Sequence, residues 1–202
     1  MQIDIVLFPG FDELDALGPF EVLATAAKHG AKFAVRLVAP AGPSEVVAAH
    51  GLRVHAEANL RQAPRPDLIV VPGGGWNDRS EVGARAEAQR GEIPAFLAEL
   101  HQAGTTIAAV CTGAMLVAAG GMLAGRPAIT HRGAIDELRA SGAEIILERV
   151  VDDGEIITCG GVTSGLDLAF WLVERFAGAA VDDAVAVEME YERRGTVWRK
   201  QS

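Results

Sequence analysis

The sequence predicts an α/β fold in which a mostly parallel sheet is covered by helices on both faces. Three observations lead there. Short apolar runs alternate with longer stretches of helical period along the chain. The clearest run, Leu68-Ile69-Val70-Val71, is apolar at every position, as a strand buried on both faces of a parallel sheet must be. Pro9-Gly10 and Pro72-Gly73-Gly74-Gly75 close such runs abruptly, so the strands end in turns.

Taken in order, Ile3 to Phe8 is a buried strand that stops at Pro9-Gly10. Leu14 to Lys28 follows as a helix, with Asp12 as its N-cap and Gly30 as its stop. Phe33 to Ala39 is a second strand, and Val46 to Ala49 with Leu52 to His55 forms a small hairpin around Gly51. Leu68 to Val71 is the core strand. A helix around Ile93 to Gln102 leads into a strand from Thr105 to Val110 and then a small-residue helix from near Gly113. Ala128 to Thr130 reads as a strand and Ala134 to Ala140 as a helix. Strands Glu144 to Val151 and Glu155 to Cys159 flank the turn signal Asp152-Asp153-Gly154. Helices at Thr163 to Phe176 and Asp182 to Arg193 complete the pattern.

The 202 residues suit a single domain, 1–202, and 50% hydrophobic against 22% charged residues supports a packed core. Lys plus Arg number 18 and Asp plus Glu 27, a formal charge of −9. Surfaces that neutralise phosphate carry the opposite sign, so neither nucleic acid nor an anionic membrane is an expected partner. Residues 104–125 carry no charge, but their several glycines and three threonines leave them only mildly apolar. They divide into a strand and a helix, which favours a soluble chain over a membrane span. Two distant cysteines make no disulfide scaffold and no zinc-ligand spacing. Asp4 and the lack of a basic segment at the start argue against a secretory signal, so the expected compartment is the cytoplasm.

Ligands of such sheets bind beyond the C-terminal ends of the strands, and three stretches fall there. Cys111 lies between the strand I-A-A-V and a helix that begins T-G-A-M-L, the strand–turn–helix context of an exposed nucleophile. A helix N-terminus favours a thiolate, so the expected thiol pKa is depressed; the plainer alternative is a buried, inert cysteine. Gly73-Gly74-Gly75 lacks the G-K-[ST] of a phosphate loop, and its expected use is close backbone approach, with an N–H offered to developing negative charge. Asp15 sits among apolar neighbours in L-D-A-L-G-P, which implies a partly buried carboxyl able to move a proton near a thiol. His131, in A-I-T-H-R-G, also falls at a strand end, where it either approaches Cys111 or serves as an ordinary loop residue. Trp76 either walls the pocket or packs. Cys159, ending a hairpin strand, is expected to pack.

The motifs L-F-P-G-F-D-E-L-D-A-L-G-P-F-E-V, V-V-P-G-G-G, I-A-A-V-C-T-G-A and C-G-G-V-T-S-G-L-D-L-A together resemble the ThiJ/PfpI superfamily over nearly the whole chain. That resemblance implies a flavodoxin-like three-layer sandwich, usually a homodimer, with a nucleophilic Cys at a strand–helix turn. Its proteases place a His directly after the Cys, where this chain has Thr112. Its glutamine amidotransferase relatives carry G-x-C-x-G and H-x-E, where this chain has Ala109 and His131-Arg132-Gly133. The deglycase and glyoxalase branch uses a Glu at the position of Asp15. An Asp in L-D-x-x-G-P with C-T-G-A is similar to the isocyanide (isonitrile) hydratase branch, although a Trp often stands there at the position of Arg132. The ThiJ-like half of AraC-type regulators is also similar, but those append a DNA-binding module, and the chain stops soon after the last predicted helix.

The resemblance implies a hydratase in which the Cys111 sulfur attacks the terminal carbon of R–N≡C to give a thioimidate. Asp15 would handle the proton, Thr112 would contribute at the site, and the N–H groups of Gly74 and Thr112 would orient substrate. Gly75, Trp76 and His131 complete the expected substrate-binding set. No metal or organic cofactor is implied, and the partner is a small molecule. The alternatives are a glyoxalase or deglycase acting on small aldehydes, and a redox or metabolite sensor in which Cys111 is oxidised to a sulfinic acid.

Overall fold

The computed structural model describes residues 1–200. Its strands are β1 (Gln2–Val6), β2 (Ala34–Ala39), β3 (Ser44–Val47), β4 (Arg53–Ala56), β5 (Ala58–Asn59), β6 (Leu68–Val71), β7 (Thr106–Ala109), β8 (Pro127–Ala128), β9 (Glu144–Ile145), β10 (Val150–Asp152), β11 (Ile156–Cys159) and β12 (Val197–Arg199). Between them run helices α1 (Glu13–Lys28), α2 (Ala84–Arg90), α3 (Glu92–Gln102), α4 (Gly113–Ala119), α5 (Ile135–Ala140), α6 (Ser164–Ala177) and α7 (Ala179–Met189).

Eight strands form the central sheet in the order β12-β10-β11-β7-β6-β1-β2-β5. Within it β10–β11 is antiparallel and the other pairings are parallel. Helices α1, α6 and α7 pack together as one layer, and α2, α3 and α4 as the other, giving the flavodoxin-like sandwich. The chain leaves β1 toward β2 on one side and returns through β6 on the other. That reversal opens a crevice at the C-terminal ends of β1 and β6, where ligands of such sheets bind.

The central strands hold their places by burial. All four residues of β6 and all but the first residue of β1 are buried, and a fully buried Leu, Ile or Val is worth about 1.5–3 kcal/mol. Asp4 is a buried charge in that apolar setting, and the parallel register places Arg36 opposite it. Two hydrogen bonds of 3.0 and 2.8 Å from Arg36 satisfy its carboxylate.

Several expected elements change when tertiary packing is present. Glu144 to Val151 is not one strand: β9 leaves the central sheet to pair with β8, and β10 begins only at Val150. The strand expected at Ala128 to Thr130 shrinks to Pro127–Ala128. Helix α2 carried no sequence signal; it is seven residues, mostly polar, and rests against α3 and α4. The helix expected at Asp182 to Arg193 begins at Ala179 and stops at Met189, because Glu190 turns into the left-handed region with φ of 49°. The basic stretch after it is part of the fold, since β12 runs parallel to β10 and the Arg194 N–H donates to Asp167 Oδ1 at 2.7 Å. Residues 104–125 divide into β7 and α4 as expected, and among the described residues no helix is long and apolar enough to cross a membrane.

Candidate active site

Three strand ends are laced together at the crevice. After β1 the chain turns through Phe8 and Phe11, both fully buried, and Asp12 caps α1 by accepting the Leu14 N–H at 3.2 Å. The Asp12 N–H donates to the Gly73 carbonyl at 2.9 Å, joining the β1 loop to the β6 loop. One turn into α1, Asp15 points inward with no exposed surface, and its Oδ2 accepts the Gly73 N–H at 2.9 Å. Glycine is required at 73: an added Cβ would lie 2.4 Å from Thr112 Oγ1 and 3.0 Å from Asp15 Oδ2.

Cys111 follows β7 and stands at the turn into α4 with φ of +56°, a strained value for a residue with a side chain. Its backbone is held on both sides: the N–H donates to the Gly160 carbonyl at 3.1 Å, and its carbonyl accepts Thr130 Oγ1 at 2.9 Å. These bonds keep the strand–turn–helix elbow bent.

The protonation of the pair differs from the sequence expectation. Burial, and next the Asp15 charge, push the Cys111 thiol up to about 12, against the backbone N–H groups of Val162 and Thr112 that favour the thiolate. The depressed thiol pKa expected from the helix N-terminus is therefore corrected: α4 is seven residues long, and desolvation outweighs its dipole. Burial, and next the charge of Asp12, raise Asp15 to about 8, opposed by the Gly73 N–H and by Cys111 itself. At neutral pH the two side chains thus hold both protons. Among the described residues, the buried Asp15 Oδ1 has no partner at full hydrogen-bond geometry.

Cys111 and Thr112 open onto a cavity of about 220 Å³ that Gly74, Gly75, Trp76 and His131 also line, with Asp12, Asn77, Asp78 and Val162. Asp15 lies behind Cys111, outside that lining. The expectation that the Gly74 N–H faces substrate is corrected, because it donates to Thr112 Oγ1 at 3.1 Å. Thr112 thereby fixes the β6 loop, and its own N–H is directed at the Cys111 sulfur. Trp76 is buried under the Arg85 guanidinium, 4.5 Å above the ring, and its indole N–H has no partner. His131 Nδ1 accepts from Asn77 Nδ2 at 2.9 Å and from the Gly133 N–H at 3.1 Å. Burial, then Arg132, lower the His131 pKa, so its imidazole is neutral at pH 7.

Sequence reasoning missed Asn77 and Val162. Asn77 had one available signal, a side-chain amide directly after G-G-G-W. Val162 has φ of +32°, and no residue-type preference announces a valine there. Cys159 is fully buried in β11, and burial raises its thiol well above the ordinary range. Among the described residues, no three of His, Cys, Asp and Glu cluster as a metal site.

Chemically, the arrangement places a thiol beside a buried carboxylic acid. Among the described residues no cation compensates that acid, and a small cavity faces the sulfur. Comparison with known proteins finds relatives across nearly the whole chain. The family described as DJ-1/PfpI matches residues 1–175. Isonitrile hydratase of Pseudomonas putida is 31% identical over 95% of this chain and 78% of its own length. The Parkinson disease protein 7 homolog of Danio rerio is 26% identical over 88% of this chain and 90% of its own. The crystal structure of a ThiJ/PfpI family protein from Pseudomonas syringae superposes with a TM-score of 0.84 at 28% identity, covering 96% of this chain and 76% of that one.

Proposed function

The chain belongs to the DJ-1/PfpI family, and on that premise we propose that it hydrates small isocyanides to N-substituted formamides through a covalent thioimidate on Cys111. The observation that carries this reading is the pairing of Cys111 with a neutral, buried Asp15 that has no cation beside it. The terminal carbon of an isocyanide must gain a proton as well as a sulfur bond, so the chemistry needs an acid and a nucleophile at one point. An ionised carboxylate would be the wrong form for the first step.

In this reading Asp15 delivers its proton to the carbon of R–N≡C while the Cys111 sulfur bonds to the same carbon. The thiol proton passes to the carboxylate left behind, giving S–CH=N–R with Asp15 protonated again. Water then adds to the carbon as the nitrogen takes a proton, forming S–CH(OH)–NH–R. Loss of the hydroxyl proton and cleavage of the C–S bond release HC(=O)–NH–R, and the sulfur is reprotonated through Asp15. Atoms balance as R–N≡C + H₂O → R–NH–CHO. The 220 Å³ cavity is smaller than a drug-sized pocket, which favours a compact R group.

The test is formamide production from a small isocyanide by wild type, Cys111→Ala and Asp15→Ala. Turnover by wild type alone supports the proposal. Consumption of methylglyoxal without formamide would instead support the aldehyde-directed alternative. Failure of both, with selective oxidation of Cys111 by peroxide, would support a sensor.

A further inference from the structure

Outside the Cys111–Asp15 pair, His131 is the titratable group of the cavity whose hydrogen bonding is most fully determined. Its Nδ1 is the acceptor of two donors, the Asn77 side-chain amide at 2.9 Å and the Gly133 N–H at 3.1 Å. A nitrogen that accepts cannot carry a proton, so the proton of the neutral ring is on Nε2. The Cδ2 corner of the ring packs against Gly161, where an added Cβ would meet Cδ2 at 2.5 Å and Nε2 at 3.3 Å. His131 is half-buried and shares the cavity with Cys111.

We propose that Asn77 is a positioning residue that locks His131 as the Nε2–H tautomer, so that His131 offers a neutral N–H donor to the substrate-derived nitrogen. The inference rests on the hydratase reading for that last step. Once carbon is bonded to sulfur, the thioimidate nitrogen must accept a hydrogen bond or proton before water adds. His131 lines the cavity, and a neutral Nε2–H donor on that ring serves that need, whereas an Nδ1–H tautomer would leave a lone pair at Nε2. Protonation of the ring would require the Asn77 and Gly133 donors to give way. The charged groups around the ring are Arg132 on its own segment, Asp12 from the α1 cap and Asp78 at the cavity rim, and the neutral Cys111 thiol is the titratable group across the cavity.

The test begins with the folded protein alone, labelled with ¹⁵N in the imidazole ring, so it needs no activity. Two-bond ¹H–¹⁵N spectra above the His131 titration should show Nδ1 as the bare nitrogen and Nε2 as the protonated one. Asn77 is exposed on its outer side, so Asn77→Leu and Asn77→Asp should fold. In Asn77→Asp a carboxylate replaces a donor with an acceptor, so the proton should move to Nδ1 and the titration midpoint should rise by roughly one unit or more. Asn77→Leu should raise the midpoint by less. A wild-type ring protonated at Nδ1, or nitrogen shifts and midpoint unmoved in Asn77→Asp, overturns the assignment.

The second arm reads turnover. With an isocyanide that wild type hydrates, Asn77→Asp should lower kcat by roughly tenfold with little change in KM. His131→Gln, whose amide reaches the Nε2 position, should retain more activity than His131→Phe, which should lose on the order of a hundredfold. Equal activity in all of these variants refutes the positioning role even if the tautomer is as stated. If wild type hydrates no isocyanide, the function reading fails, and the tautomer spectra still decide whether Asn77 fixes the ring.

Discussion

Asp15 and Asp152 are both buried carboxylates beyond the ends of central strands or within them, and their surroundings are opposite. Asp152 accepts from the Trp171 indole at 2.8 Å, from Arg175 at 2.8 and 2.7 Å, and from the Gly154 N–H at 2.8 Å. Asp15 accepts one backbone N–H, from Gly73, and no arginine approaches it. The Arg36–Asp4 pair follows the pattern of Asp152. The difference teaches where a proton is stored. A buried carboxylate surrounded by donors and a guanidinium is compensated where it stands and joins elements of the fold. One left without a counter-charge takes up a proton, and here that proton sits next to the Cys111 sulfur.

The comparison can be broken most severely at the sulfur. Cys111→Ala should abolish isocyanide hydration, a loss of about 10⁴-fold or more in kcat, while the circular dichroism spectrum and melting stay near wild type. Retained turnover would mean that the carboxyl acts without the thiol. Asp15→Asn comes next: the amide oxygen still accepts the Gly73 N–H, but the transferable proton is gone. We expect kcat to fall by about 10²–10⁴-fold and stability to hold or rise, since a desolvated acid is replaced by a neutral amide.

On the other side of the comparison, Arg175→Ala should leave turnover intact and cost about 3 kcal/mol in urea unfolding, because Asp152 loses the cation that compensates it. A matching loss of stability from Asp15→Asn would erase the distinction between the two carboxylates.

A gradual effect is a slope with pH. Asp15 has a folded pKa of about 8 against an ordinary value of 3.8. Between those values the unfolded chain has released a proton that the folded chain retains, so stability falls as pH rises through that window. Below it the carboxyl is neutral in both states, and above it the folded state carries the full cost of a buried carboxylate. The contribution is at most about 1.4 kcal/mol per pH unit, and Asp15→Asn should remove it from a series of unfolding curves. The same sign applies to turnover: the active, protonated Asp15 predominates below pH 8, and the rate should decline above it.

The layers of the fold were legible because apolar β1, β6 and β7 each stop at a turn, and strand ends locate the crevice. Asp12 was readable as a cap, and Asp15 as partly buried, from their neighbours alone. Helix α2 and strand β12 were not legible. The first is stabilised by neighbours in space rather than by its own pattern, and the second is a short stretch paired with a strand about 45 residues earlier. Cys111 was legible as an elbow, but its protonation was not, since local sequence signals a helix N-terminus and says nothing of the burial that outweighs it. Asn77 offered only an amide after G-G-G-W, and its meaning depends on His131, which is 54 residues away.

The account depends on Asp15 being a carboxylic acid at neutral pH, and infrared difference spectra of wild type against Asp15→Asn read that state directly. Between pH 5 and 9 the wild type should show one extra protonated-carboxyl C=O band, sensitive to deuterium exchange, that disappears with a midpoint near 8 and is missing from the variant. Absence of that band at pH 5 to 7, with carboxylate absorption in its place, would show Asp15 ionised throughout and contradict the account.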